Sequence, residues 1–129
     1  MNDRIQWSVV AVLAVGVLVA SLLPAEGASA LGPFGVLGLD KWLHAVGYAT
    51  LAGAVSLADG RAIVGVLAAV AYGASIELLQ LGVSYRSGSA LDALANATGA
   101  VVGALAVVAV VDAYRRYDAR GSSRSTVEK

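Results

Sequence analysis

Four apolar runs, each about as long as a bilayer is thick, leave this chain few ways to fold. They cover residues 5–23, 39–58, 62–81 and 90–111. A helix needs about 20 residues to cross the hydrocarbon core. In lipid every backbone N–H and C=O must be satisfied within the protein, so runs of this length are expected to be helices. The composition agrees. Hydrophobic residues make up 58% and charged residues 14%, with mean hydropathy +0.75, whereas a soluble domain carries about 25% charged residues. The 129 residues suit one domain.

The formal net charge is zero, which gives no basic surface for nucleic acid. The absence of cysteine excludes disulfides, thiolate metal sites and cysteine nucleophiles. The first run also invites a signal-peptide reading, with Arg4 as a basic start and Ala28-Ser29-Ala30 as a small-x-small site. Its apolar core exceeds the usual 7–15 residues, and Pro24-Ala25-Glu26 separates it from that site, so a retained helix is favoured. Residues 24–38 are broken by two prolines and four glycines and form a long loop, apolar enough at 32–39 to lie at a membrane surface. Asp59-Gly60-Arg61 is so short a turn that the helices it joins must be antiparallel neighbours.

Basic residues set the orientation. With four spans both termini share a side, and that side holds Arg4, Arg61, Arg115, Arg116, Arg120, Arg124 and Lys129, seven of the nine. Both termini are therefore expected in the cytoplasm of a multi-pass cell-membrane protein. Lys41 and Arg86 fall on the outer side.

The outer halves of the last three runs carry what an ordinary span avoids. Asp40, Lys41, His44 and Tyr48 fall within roughly 100° of helical arc. Glu77 and Gln80, three apart, share a face near the end of the third run. Asp92 and Asn96 begin the fourth, in line with Gly99 and Gly103, whose small-xxx-small spacing admits a neighbouring helix. Polar side chains in a membrane are costly unless partnered or functional, and these meet at one depth. The fold expected is an all-α antiparallel bundle of four transmembrane helices with an outward-facing polar pocket. It occupies residues 1–117, and a disordered cytoplasmic tail follows at 118–129.

The ordered set Asp40-Lys41-x-x-His44-x-x-x-Tyr48, Tyr72-Gly73-x-x-x-Glu77-x-x-Gln80 and Arg86-x-x-Ser89-x-x-Asp92-x-x-x-Asn96-x-x-Gly99-x-x-x-Gly103 resembles the VanZ-like family of small membrane proteins. The match spans residues 24–103. It departs from the family pattern at Ala45, where an aromatic often follows the histidine, and at 81–85, where a proline is common. The resemblance implies a multi-span prokaryotic protein of the cell envelope, from a family named for glycopeptide (teicoplanin-type) antibiotic resistance.

Each residue carries two readings. His44, the sole histidine, is a base or pH switch near neutrality, or a hydrogen-bonded link between helices. Glu77 is a general acid or proton carrier, or the partner of Lys41 or Arg86 in a salt bridge. Asp40 orients His44 or caps its helix. Asp92 and Asn96 bind ligand or tie the fourth helix to the second. Lys41 and Arg86 clamp an anionic headgroup or neutralise Asp40, Glu77 and Asp92. Tyr48 bonds Glu77 or packs. Gln80 joins the polar wall. A metal site of His44, Glu77 and Asp92 lacks ligand spacing, and no cofactor fingerprint or Ser-His-Asp motif is present. The functions in play are an envelope accessory or binding protein for a polar or anionic headgroup (an anionic lipid or cell-wall precursor), a small intramembrane enzyme acting on a lipid-linked substrate through His44 and Glu77, and a purely structural bundle. A homo-oligomer is compatible with each.

Overall fold

A computed structural model describes residues 2–22, 32, 35, 38–82 and 90–125, with side chains given through 120. Four helices follow in order: α1 Asp3–Leu22, α2 Leu39–Asp59, α3 Ala62–Gln80 and α4 Ala90–Ser125. Among the described residues the chain is otherwise turns, with no strand. The apolar segment 32–39 and the loop holding Arg86 fall largely or wholly outside those residues.

Local chemistry sets the helix ends. Gly38 stands at the N-cap of α2, and Asp40 sits in the first turn, where free N–H groups and the helix dipole favour a carboxylate. Gly60 ends α2 in the left-handed region, φ 81°, which a side chain adopts only at a cost. Its N–H bonds the Ser56 carbonyl at 2.9 Å, and α3 starts two residues later.

α2 is the central helix. It buries Tyr48, Leu51, Ala52, Gly53, Val55 and Ser56 and packs against α4 most extensively, then against α3 and α1. The core joins Tyr48, Leu51, Ala52 and Val55 to Ala69 of α3 and Ala100 of α4, with Val10, Leu13, Ala14 and Val17 of α1 at its edge. Small residues dominate because backbones touch. A Cβ at Gly99 would collide with the Ala45 carbonyl, and one at Gly103 with the Ala49 carbonyl. The Gly99/Gly103 pair therefore seats α4 on α2, as its spacing predicts. Both contacts have an offset of 54 residues, so α2 and α4 run parallel. On the opposite face, Gly65 lies against Ala52 and Ser56, and Gly73 against Tyr48.

α1 is fastened by hydrogen bonds to its backbone. The Tyr72 hydroxyl donates to the Ala14 carbonyl at 2.7 Å, and Gln80 Nε2 donates to the Ser21 carbonyl at 2.6 Å. The acceptors are seven apart and the donors eight, so α1 and α3 also run parallel.

Outside this core the surface is apolar. Val12 and Val15 of α1, Ile63 and Leu67 of α3, and Leu94, Val102 and Leu105 of α4 are all exposed. The exposed hydroxyls of Ser8, Thr50 and Ser75 each donate to the carbonyl four residues earlier, at 2.8–2.9 Å, so they leave no bare donor at an apolar surface. Three helices, α1, α3 and α4 as far as Arg120, are long and apolar enough to cross a membrane.

Two expectations change. The sequence suggests four spans of one kind, yet α2, with Asp40, Lys41, His44 and Asp59, does not reach the apolarity of the other three. Its central position accounts for this, since Lys41 and His44 meet Asp92 and Asn96 of α4, while Asp59 pairs with Arg61 at the turn. The tail expected to be disordered from residue 118 is helical to Ser125. Residues 112–120 contain no proline or glycine, and Asp112 precedes Arg116 by one turn, a favourable order along a helix.

Candidate functional site

The polar residues converge where α2 and α4 begin. The parallel α2–α4 pairing brings Lys41 beside Asp92 and His44 beside Asn96. Lys41 Nζ lies 2.7 Å from Asp92 Oδ1 and also pairs with the neighbouring Asp40 carboxylate. All three side chains are mostly buried, with 12–22% exposure, so solvent screens the triad little. It holds two acids and one base, hence one net negative charge.

His44 Nδ1 lies 3.1 Å from Asn96 Oδ1. An amide oxygen accepts, so Nδ1 donates to it, and in the neutral ring this leaves Nε2 as the acceptor. Asn96 is buried at 4% exposure, which fixes the imidazole in one tautomer and orientation. One turn deeper, the Tyr48 ring lies parallel to His44, with centroids 6.3 Å apart and planes within 10°. Tyr48 is 1% exposed, and its hydroxyl has no hydrogen-bond partner among the described residues. Its ring meets Gly73, where a Cβ would come to 3.0 Å of Cε1 and 3.3 Å of Asn96 Nδ2. The hydroxyl lies within electrostatic range of Glu77 and Tyr72. Tyr48 is thus the point at which α2, α3 and α4 meet.

Of the sequence-selected residues, Asp40, Lys41, His44, Tyr48, Asp92 and Asn96 form one cluster. Glu77 stands half-buried on α3 facing it. Lys41 pairs with Asp40 and Asp92. Asp40 binds Lys41, and the N-cap itself is Gly38. Gln80 points elsewhere, into the α1–α3 contact, because eight residues separate it from Tyr72 and place both on the α1 side. Arg86 lies outside the described residues. Sequence reasoning gave no role to Ser21 or to the Tyr72 hydroxyl. The matching seven- and eight-residue spacings were the available signal, but a backbone acceptor leaves no mark in a sequence.

At the other end Arg61 Nε donates to Asp59 Oδ2 at 2.8 Å. This bond, aided by the guanidinium charge, lowers the Asp59 pKa below its ordinary value. Comparison with protein-family models, with curated proteins and with solved structures finds no match to this chain.

Proposed function

We propose that this chain is a VanZ-like cell-envelope protein of four membrane spans, with both termini cytoplasmic, that binds the polar headgroup of an envelope lipid or cell-wall precursor at the Lys41/His44/Asp92 cluster. Support for α2 as the fourth span comes from its exposed side, where Leu39, Leu43, Val46 and Leu57 are apolar. The ordered motif supports the family assignment, and the basic residues gathered at the Gly60 end support the orientation.

The observation that carries the binding reading is His44. Asn96 holds it so that Nε2, a hydrogen-bond acceptor, is left for a guest. A packing histidine gains nothing from a single enforced tautomer, whereas a recognition or proton-transfer group does. The same feature supports a second reading, an intramembrane enzyme with His44 as base and Glu77 as acid. The Lys41 triad supports a third, in which the network only holds α2 to α4.

His44→Gln and Glu77→Gln separate the three when folding in detergent and glycopeptide tolerance are measured together. Normal folding with lost tolerance is expected. Unchanged tolerance with a destabilised bundle overturns binding and catalysis alike, and turnover of a lipid-linked substrate selects the enzyme. Orientation is checked by single cysteines, which this cysteine-free chain makes simple. Ser123→Cys is expected to resist an impermeant thiol reagent in intact cells, and Gly35→Cys to react.

A further inference from the structure

The strong donors of the cluster are already spent. Lys41 lies between two carboxylates, and His44 Nδ1–H is directed at Asn96. The Asn96 amide nitrogen is turned toward the Tyr48 ring and Gly73. What remains to meet a guest is accepting in character: the second oxygens of Asp40 and Asp92, His44 Nε2 and the lone pairs of the Tyr48 hydroxyl. The charge has the same sign. The described triad carries one negative charge.

An anion would have to displace an acid from Lys41 and then sit beside two carboxylates. An ammonium group meets acceptors at His44 Nε2 and the Tyr48 hydroxyl and a net negative charge beside them. The Tyr48 hydroxyl is an independent observation at the same place. It is 1% exposed, lacks a hydrogen-bond partner among the described residues, and sits under His44 where three helices meet. A polar group so buried is ordinarily paired, with protein, water or ligand.

We infer that the headgroup taken by this cluster is a cationic amine, held by hydrogen bonds from its ammonium N–H groups to His44 Nε2 and the Tyr48 hydroxyl, beside the net negative charge of the Asp40–Lys41–Asp92 triad. The inference rests on the headgroup-binding reading and narrows it away from phosphate and carboxylate groups.

The test uses the full chain in detergent with Trp7→Phe, which leaves Trp42, next to Lys41, as the only indole. Its emission is titrated with three probes below their micellar concentrations: a short-chain phosphatidylethanolamine, the matching phosphatidylglycerol, and hexylamine. Saturable binding of the two amines is expected, with the phosphatidylglycerol at least about tenfold weaker. Tyr48→Phe removes the unpaired hydroxyl and keeps the packing ring. It is expected to leave the melting temperature unchanged or higher and to weaken amine binding about tenfold, the effect of one hydrogen bond to a charged group. His44→Gln is expected to weaken it as much or more.

Equal or tighter binding of the phosphatidylglycerol overturns the amine assignment and leaves headgroup binding standing. Binding of no probe overturns both. Amine binding untouched by Tyr48→Phe also overturns the inference, because the buried hydroxyl would then play no part.

Discussion

Replacing Gly103 by alanine puts one methyl group where α4 lies on the α2 backbone. The added Cβ would stand 2.6 Å from Ala49 Cα; at Gly99 the distance to Ala45 Cα is 2.9 Å. Carbon pairs rest at about 3.5–4.0 Å. The atoms in the way are backbone, so no rotamer change relieves the clash, and α4 must retreat by roughly 1 Å. Overpacking of this kind costs about 1–3 kcal/mol. The same retreat stretches the 3.1 Å His44–Asn96 contact beyond hydrogen-bonding reach and forfeits about 1 kcal/mol more. Alanine regains about 0.5–1 kcal/mol of helix preference over glycine. The net expectation for Gly99→Ala or Gly103→Ala is a loss of about 1–3.5 kcal/mol. Gly16 is the control, since a Cβ there meets nothing within 4 Å. Gly16→Ala should be neutral or stabilising by up to about 1 kcal/mol. Unfolding by SDS in mixed micelles, followed by helical circular dichroism, measures all three. If Gly103→Ala and Gly16→Ala agree within about 0.5 kcal/mol, close seating of α4 on α2 is refuted.

Lys41→Met leaves two mostly buried carboxylates without their cation and should cost about 3–5 kcal/mol in the same assay; a loss below about 1 kcal/mol would mean that the triad is solvated. Tyr72→Phe removes the hydroxyl donated to Ala14, for an expected loss of about 0.5–1.5 kcal/mol and faster protease cleavage after α1, while the α2–α4 signals of an NMR spectrum stay in place. Gly60→Ala forces a side chain into the left-handed region at φ 81° and should destabilise by about 1–2 kcal/mol, with Gly60→Asn milder. For Asp59 the folded pKa is depressed, so the Arg61 contact favours folding above the ordinary carboxylate pKa and loses that effect as pH falls through the folded value. Carboxyl carbon shifts should show Asp59 titrating below the ordinary range, and Arg61→Gln should return it there; an unmoved midpoint contradicts the assigned bond.

The helices were legible because their signals are local. Long apolar runs, the Asp59-Gly60-Arg61 turn and the Gly99/Gly103 spacing each have one simple physical reading. The convergence of Lys41, His44, Asp92 and Asn96 was legible as shared depth. What sequence left open was pairing within that depth. Lys41 had three acids within plausible reach; Asp40 is its neighbour in the chain, and the pairing with Asp92 follows from the parallel packing of α2 and α4. Gln80 was misread as part of the wall because its true partner is a main-chain carbonyl, and every residue has one of those. The length of α4 was underestimated because polarity after Val111 looked like an end, although exposed arginine, alanine and tyrosine continue a helix readily.

The parallel pairing of α2 with α4 has a consequence for synthesis. α2 leaves the ribosome carrying Asp40, Lys41 and His44, and the residues that complete their pairing, Asp92 and Asn96, lie about fifty positions later. At about 5–20 residues per second, several seconds pass between the two. During that interval α2 has α1 and α3 beside it but no Asp92 for its lysine, so its seat in the bundle is provisional. α4 is the helix that closes the assembly. A nascent chain halted before residue 90 should therefore hold α2 loosely, open to protease cleavage, and the same chain extended past residue 103 should not.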